Sequence, residues 1–336
     1  MPSRERTTLS AAVVGAGLMG RWHADAIRRA GGVVTAVVDP DEARAVALAE
    51  RYGSAKVFSR LDDVLNEARP AVVHLCTPAN LHRQQAEQAL KSGAHVFIEK
   101  PLAQNLKDTQ EIISLAEQHK RLVCPVHQFV FQDGVQRLHN WMSASGEVTQ
   151  VSFTIHSAGG TGSPSHQFDA HVADILPHPL SLLQLLLPGS LDAAWAVHRP
   201  APGELRVMGV DHKRGSAGIG LTIEISMNAR PTQNTLSVAA RNASFHVDLF
   251  HGFAFRSPGT VSRARKIIQP FEFSLRQFGA ATGNLAMRTL NNESAYPGLR
   301  RLVSLFYKAI RTGEPSPISP HDVLAVAHTR QTILTS

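Results

Sequence analysis

The chain has only two cysteines among its 336 residues, few aromatic side chains and no long hydrophobic run. The two cysteines, Cys76 and Cys124, exclude a disulfide framework and a thiolate cage for zinc, and they suit a reducing compartment. The longest leucine-rich segment, LSLLQLLLPG, is far shorter than the roughly 20 apolar residues of a transmembrane helix. We therefore predict a cytoplasmic protein with no membrane span.

The charge of the chain narrows the expected partners. Lysine and arginine total 34 against 27 acidic residues, which gives a net charge of +7, and the excess falls in the second half of the chain. No basic stripe is interleaved with aromatic residues, so nucleic acid is not an expected partner. The expected partner is a small-molecule substrate, which the basic excess allows to be anionic.

Hydrophobic patterning divides the chain into two predicted domains. Residues 1–124 alternate short β-branched runs with helical patterns, which predicts an α/β Rossmann domain with a doubly wound parallel sheet. Residues 125–336 contain longer alternating segments, which predict an α+β domain with a large, mostly antiparallel open-faced sheet. Two amphipathic helices end the chain and can pack back on the first domain. An open sheet face must be covered, which predicts a homodimer or homotetramer through the C-terminal sheet.

The segment VVGAGLMG follows a predicted strand and has the spacing G-x-G-x-x-G. Such glycines permit a tight turn and let the backbone approach a pyrophosphate at the N-terminus of the next helix. The cofactor-binding residues predicted here are Gly15, Gly17, Leu18, Met19 and Gly20. Asp39 ends the second predicted strand, where a carboxylate can bind the adenine-side ribose and repel a 2′-phosphate. The sequence therefore predicts NAD as cofactor in preference to NADP.

Three segments, VVGAGLMG, LCTPANLH and IEKPLA, occur in an order and spacing that resemble the glucose-fructose oxidoreductase and inositol dehydrogenase (Gfo/Idh/MocA) family. The resemblance covers nearly the whole chain. It implies a wall on the nicotinamide side of the cofactor, made by Thr77, Pro78, His82, Glu99, Lys100 and Pro101. It also implies that Lys100 touches the substrate hydroxyl, where an ammonium can stabilise developing alkoxide charge. Gln128, where the chain enters the second domain, is a further candidate for the nicotinamide region.

The segment DAHVADILPHPL allows three interpretations. A metal site would use His171, Asp174 and His178, but no metal-binding motif fixes them on one helix face. A buried helix would use the leucines that follow Pro179 as its core side. In an acid/base centre, which the resemblance implies, neutral His178 takes the hydroxyl proton and Asp174 orients its ring. We predict the last role for the two polar residues, the core role for the leucines, and no bound metal.

The resemblance is incomplete at this segment. The family pattern D-x-G-x-H-x-x-D matches Asp174 and His178, but Leu176 stands at the glycine position and Ser181 replaces the final aspartate. The loss of that carboxylate removes one group that could hold the histidine ring.

Together these features predict an NAD(P)-dependent dehydrogenase or reductase that acts on CH–OH groups. The expected reaction is reversible hydride transfer between a secondary alcohol of a sugar, cyclitol or polyol and nicotinamide, with Lys100, Asp174 and His178 as catalytic residues. Two alternatives stay open. One is an NAD-dependent glycosidase that works by transient oxidation and elimination. The other is a non-catalytic dinucleotide-binding regulator, which the missing aspartate favours.

Residues 256–292 combine a basic run with several large apolar side chains, Ile267, Ile268, Phe271, Phe273, Leu275 and Phe278. The segment is expected to be an insertion that packs on the sheet or on a second subunit. Alternatively, a basic amphipathic stretch can lie on a membrane surface or cover a hydrophobic or lipid-linked substrate.

Overall fold

The structure is a computed structural model that describes residues 8–53, 55–158, 164–214, 217–259, 262–293 and 295–336. The chain forms two compact units. The first unit runs to Val126 and includes Leu299–His328, and the second comprises His127–Gly298 and Thr329–Ser336.

The first unit contains a six-stranded sheet in which all paired strands are parallel. Its strands are β1 (Leu9–Val14), β2 (Gly32–Val38), β3 (Lys56–Phe58), β4 (Val72–Leu75), β5 (His95–Ile98) and β6 (Val123–Pro125). Their order is β3-β2-β1-β4-β5-β6, the order of a dinucleotide-binding sheet. Every residue of β4 is buried, as expected for a strand covered by helices on both faces. The predicted doubly wound Rossmann sheet is confirmed.

Five helices follow the first five strands: α1 (Leu18–Arg29), α2 (Glu42–Ala49), α3 (Leu61–Glu67), α4 (Ala79–Lys91) and α5 (Leu106–Gln118). Side-chain caps begin two of them. Asp41 accepts a hydrogen bond from the Arg44 backbone N–H at the start of α2, and Asn105 accepts one from Asp108 at the start of α5. These caps satisfy backbone donors that the first helical turn leaves unpaired.

The second unit contains a seven-stranded sheet in the order β13-β12-β11-β7-β10-β9-β8. Its strands are β7 (Val148–His156), β8 (Ala196–His198), β9 (Glu204–Asp211), β10 (Ile219–Ser226), β11 (Gln233–Ala240), β12 (Ala243–Asp248) and β13 (Phe253–Pro258). All neighbouring pairs are antiparallel except β7 with β10. These pairings confirm the predicted mostly antiparallel sheet. From Val151 to His156, alternate residues of β7 are buried on one face and half-buried on the other.

The described part of the second unit includes the helices α6 (Asp133–Met142), α7 (Phe168–Ile175), α8 (Pro177–Leu186) and α9 (Arg263–Leu290). Leu180, Leu182, Leu183 and Leu186 of α8 are buried, in agreement with the core role predicted for the leucines of this segment. The 28 residues of α9 form a continuous helix, although Pro270 lies inside it. Thr260 and Val261, and the side chains of residues 263–265, lie outside the described part of this segment.

Two helices complete the chain, α10 (Leu299–Thr312) and α11 (Pro320–Thr335). Helix α10 is part of the first unit and packs against its N-terminal portion. Arg311 donates hydrogen bonds to the carbonyl oxygens of Ala30 and Gly31, and the ring of Phe306 contacts that of Phe97. The hydroxyl of Tyr307 lies 3.0 Å from Nε2 of His74, so a buried hydrogen bond joins α10 to β4.

Among the residues that the structure describes, no helix is both long enough and apolar enough to cross a membrane.

The buried His74 predicts a pH dependence of stability. Burial, with a contribution from neighbouring His23, lowers the pKa of His74 well below its ordinary value of 6.5. Below about pH 6.5, His74 therefore binds a proton in the unfolded chain but stays neutral in the folded protein. As the pH falls further, the free energy of unfolding decreases by up to about 1.4 kcal/mol per pH unit. His74→Gln is expected to reduce the measured slope by the share of His74, as measured by urea unfolding between pH 7 and pH 5. The remaining slope includes contributions from other histidines whose pKa values burial also lowers, His82, His95 and His246. His321→Gln, at an exposed position outside the buried cluster, is the control, and an identical slope for His74→Gln and the parent would contradict the prediction.

Candidate active site

The glycine turn between β1 and α1 is fixed by close contacts that only glycine permits. Gly15 has a positive φ of 94°, and a Cβ on it would lie 2.7 Å from the Cys76 carbonyl oxygen. A Cβ on Gly20 would lie 2.0 Å from the Gly15 carbonyl oxygen. By contrast, a Cβ on Gly17 would meet nothing within 4 Å. Gly15 and Gly20 therefore shape the turn, while Gly17 leaves open space at the N-terminus of α1.

That open space fits an anionic group. Gly17 is the N-cap of α1, no side chain caps the helix there, and its first turn contains no acidic residue. Leu18 is exposed and Met19 is half-buried beside it. A helix start of this kind offers backbone N–H groups and the positive end of the helix dipole to a phosphate. The described residues of the turn thus fit the pyrophosphate of a dinucleotide.

Asp39 lies at the carboxyl end of β2 and is tied to the same turn. Its Oδ2 accepts a hydrogen bond of 2.7 Å from the Ala16 backbone N–H, and its Oδ1 accepts one of 2.9 Å from Asp41. An ionised carboxylate has about four acceptor positions, so both oxygens can still accept from ribose hydroxyls. Asp39 therefore stabilises the turn and remains suited to bind a ribose.

The LCTPANLH segment forms the turn between β4 and α4. Pro78 is the N-cap of α4 and is exposed, while the hydroxyl of Thr77 donates a 2.6 Å hydrogen bond to Gln85. His82 is buried, and its two ring nitrogens lie 2.8 Å from the Thr77 carbonyl oxygen and 3.0 Å from that of Pro101. Burial lowers the pKa of His82, and the two carbonyl contacts oppose this effect. His82 thus joins the turn after β4 to the turn after β5, and its contact with a cofactor stays a prediction.

Glu99 and Lys100 follow β5 but face different surroundings. The Glu99 carboxylate is buried, lies 3.0 Å from Nε2 of His23, and accepts a hydrogen bond from the Lys100 backbone N–H. Burial raises the pKa of Glu99, but the hydrogen bond and charge of His23 outweigh it, so that the pKa is lowered. Lys100 is half-buried at the strand end. Glu99 thus holds the backbone at Lys100, while its predicted contact with the cofactor stays a prediction.

His23 is a residue that sequence reasoning missed. Its Nδ1 lies 3.1 Å from Nδ1 of His74, whose Nε2 in turn contacts Tyr307, so a buried hydrogen-bonded chain runs from Glu99 through the core. A histidine on the inner side of a helix is most often a core residue, and only the fold shows that it reaches a carboxylate 76 positions later in the sequence.

In the second unit, Gln128 begins a 3₁₀ turn over Gln128–Phe131 and is buried. Among the described residues its Oε1 has no hydrogen-bond partner. A buried amide oxygen without a partner costs about 1–3 kcal/mol, so a polar ligand group at this position would be favoured. This observation fits the predicted binding role of Gln128.

His178 is the second residue of α8 and is buried. Its ring stacks on that of Phe129, with centroids 4.3 Å apart and planes at 24°. The hydroxyl of Ser181 donates a 2.9 Å hydrogen bond to the backbone carbonyl of His178. Ser181 thus hydrogen-bonds within its own helix. The imidazole plane is held by the stacked ring of Phe129, a residue that sequence reasoning did not identify.

The other polar residues of DAHVADILPHPL have different surroundings. Asp174 is exposed on α7, and its charge raises the pKa of Arg330 against the stronger lowering effect of burial. Arg330 also donates a hydrogen bond to the Ala173 carbonyl oxygen. His171 is half-buried, and its Nε2 has no hydrogen-bond partner among the described residues. The described residues contain no group of three histidine, cysteine, aspartate or glutamate side chains that could hold a metal ion, and the absence of a bound metal stays a prediction.

Comparison with known proteins extends these observations. Residues 9–127 match the model of the Gfo/Idh/MocA family, which is described as an oxidoreductase family with an NAD-binding Rossmann fold. The chain is 34% identical over 112 residues to an inositol 2-dehydrogenase of Corynebacterium glutamicum (strain R), a match that covers 33% of each protein. It is 27% identical over 228 residues to a 4-carboxy-2-hydroxymuconate-6-semialdehyde dehydrogenase of Sphingobium sp., a match that covers 65% of this chain and 71% of that protein.

The fold of the whole chain also has solved counterparts. The WlbA dehydrogenase from Bordetella pertussis, in complex with NADH and UDP-GlcNAcA, superposes with a TM-score of 0.72 over 99% of this chain and 97% of that one, at 16% identity. Identity at this level shows a shared fold alone. The sequence match lies almost wholly in the first unit, since residues 9–127 match the model of the Gfo/Idh/MocA oxidoreductase family.

Proposed function

We propose that this protein is an NAD-dependent dehydrogenase or reductase that transfers hydride reversibly between nicotinamide and a secondary alcohol. The proposed substrate class is a sugar, cyclitol or related polyol, free or linked to a nucleotide. The observation that carries the proposal is the glycine turn with Asp39, which has the shape and charge for NAD in a chain whose family consists of oxidoreductases. The names of its relatives, which include an inositol 2-dehydrogenase, support the alcohol chemistry.

The cofactor would be held mainly by backbone groups of the first unit. The start of α1 at Gly17 would receive the pyrophosphate, and Asp39 would bind the adenine-side ribose. The bound nicotinamide supplies a carbon that accepts or donates hydride. Lys100 would stabilise the charge that develops on the substrate oxygen, because an ammonium in a water-poor site strongly favours an alkoxide. The Glu99–Lys100 backbone hydrogen bond supports this role, since it fixes the main chain from which the lysine extends.

His178 would handle the proton of the reacting hydroxyl. A neutral imidazole can accept that proton during oxidation and return it during reduction. The stack on Phe129 supports this role, because a ring held in one plane loses little freedom when it forms the hydrogen bond to substrate. The absence of a carboxylate at Ser181 is therefore compatible with catalysis. Asp174 would contribute through its negative charge near the start of α8.

Two further properties belong to the proposal. We infer a cytoplasmic location from the NAD cofactor and from two cysteines that are both free thiols. We also infer that Gln128 and His171 bind polar substrate or cofactor groups, because each has a buried polar atom without a partner among the described residues. A regulator that binds NAD without turnover is the alternative that experiment must separate from the enzyme.

The role of Asp39 predicts a change in cofactor preference. Asp39→Asn loses the negative charge and one acceptor oxygen, so the Kd of NADH is expected to rise by about 10- to 100-fold. The Kd of NADPH should rise much less, because the repulsion of the 2′-phosphate is also lost. Titration of nicotinamide fluorescence measures both constants. Asp41→Asn is the control, since the exposed Asp41 can still cap α2 through its amide oxygen. Equal weakening of both cofactors would show that the variant only damages the turn.

The catalytic roles predict a second set of effects. Lys100→Met and His178→Ala are each expected to lower kcat/KM by about 10²- to 10⁴-fold while the Kd of NADH changes little. Ser181→Ala is the control and should retain activity, because the Ser181 hydroxyl bonds only to the helix backbone in the described contacts. Initial rates of NAD reduction on a panel of inositols, polyols and UDP-sugars provide the measurement. Unchanged turnover in both variants would refute the site, and NADH binding with no turnover of any substrate by the parent would favour the regulator.

A further inference from the structure

Helix α9 carries a row of large apolar side chains that is exposed in the single chain. Ile268, Phe271, Leu275, Phe278 and Leu285 are each 50–76% exposed. None of the side chains described on α9 is fully buried, although the helix spans 28 residues, or about 42 Å. Soluble proteins rarely leave so many large apolar groups in water along one element.

The exposed apolar residues of α9 have the sequence spacing that is typical of two helices packed along each other. The residues alternate at intervals of three and four positions, and Thr282 continues the row. We call this row the α9 seam, and it comprises Ile268, Phe271, Leu275, Phe278, Thr282 and Leu285. A regular alternation of three and four places one narrow stripe along the helix and is typical of coiled-coil contacts.

The seam faces away from the sheet that supports α9. The opposite side of the helix is held by Phe273, whose ring lies edge-on to those of His246 and Phe255 at 5.1 and 4.9 Å. Asn284 and Arg288 donate hydrogen bonds to the His251 carbonyl oxygen from the same side. Because α9 is anchored through this inner side, the seam is presented outward on a fixed support.

The exposed area is large enough for a stable contact. The seam and the adjoining Ile267 present on the order of 900 Å² of surface, against about 800 Å² per partner in a standard interface. The largest apolar patch on a typical monomer is about 300–600 Å².

A glycine that flanks the seam also favours a close helix contact. Gly279 lies inside α9, where glycine costs about 1 kcal/mol relative to alanine. A Cβ on Gly279 would meet nothing within 4 Å in this chain. The described neighbours therefore do not require glycine at this position, whereas bare backbone permits the close approach of a second helix.

The seam is complementary to itself. In an antiparallel pair centred between Arg276 and Gln277, Leu275 faces Phe278 of the second copy. In the same register Phe271 faces Thr282, and Ile268 faces Leu285. Every seam residue then meets a seam residue, and the helices overlap along their full length. Such mutual contact is the rule for a two-fold symmetric interface.

We propose that α9 pairs with α9 of a second copy of this chain, so that the protein is a dimer held by the α9 seam. A lipid surface is the competing occupant, because α9 contains five basic residues and one acidic residue. The narrow stripe of alternating spacing, interrupted by Thr282, favours a helix over a lipid surface, which requires a broad apolar face.

The test compares two leucine substitutions on the same helix. Leu275→Glu introduces a charge into the middle of the seam and is expected to raise the dimer Kd by at least about 30-fold, as measured by sedimentation velocity across a concentration series. Leu290→Glu makes the same chemical change at a more exposed position outside the seam and should sediment like the parent. Phe271→Ser provides a second seam variant. A far-ultraviolet circular dichroism spectrum equal to that of the parent and a cooperative thermal transition confirm folding, whereas the midpoint itself is expected to fall when the dimer dissociates.

Each outcome decides the proposal. A dimeric parent that dissociates on seam substitution and not on Leu290→Glu supports it. A monomeric parent at about 10 µM, or a dimer that both seam variants leave intact, overturns it. A monomeric parent that co-sediments with phosphatidylserine vesicles, and loses this binding in Leu275→Glu, overturns it in favour of the lipid surface.

Discussion

The parallel pairing of β1 with β2 and β4, and of β4 with β5, is the constraint on which the cofactor end depends. Parallel strands finish at one edge of the sheet, so the turns that follow them meet there. This is why a Cβ on Gly15 would strike the Cys76 carbonyl, and why Asp39 reaches the Ala16 backbone N–H. These residues are distant in the sequence, but the parallel sheet brings the turns that contain them to the same edge.

Short-range patterns were sufficient to predict the Rossmann sheet, the mostly antiparallel second sheet and the glycine turn between β1 and α1, because each depends on local spacing and strand alternation. The three-residue strand β3 was too short to show a pattern, and the parallel pairing of β7 with β10 depends on a long-range crossover that periodicity does not encode. The continuous helix α9 was not predicted from the sequence, because a proline such as Pro270 normally argues against a helix interior.

Long-range partners explain what the sequence could not supply at the candidate site. The segment around His178 predicted its helix and its buried leucines, but not the ring of Phe129 that stacks on the imidazole. Likewise, IEKP indicated Glu99 and Lys100 without showing that Glu99 turns inward to His23. In both cases, the contact joins residues that are far apart in the sequence, so it forms only when the chain is folded. The domain limits and the roles of the site residues stay predictions.

The start of α8 has a consequence for how charge is recognised near His178. Pro177 and Pro179 have no backbone N–H, so this helix end lacks two of the four donors that other helices expose in their first turn. A phosphate or carboxylate, which can bind the free N–H groups of a helix N-terminus, would therefore bind only weakly at this one. If a ligand binds at His178 as proposed, its anionic groups would be held by side chains and not by this helix end. Side chains can change without altering the backbone, so selectivity for charge would be separable from the geometry that positions the histidine.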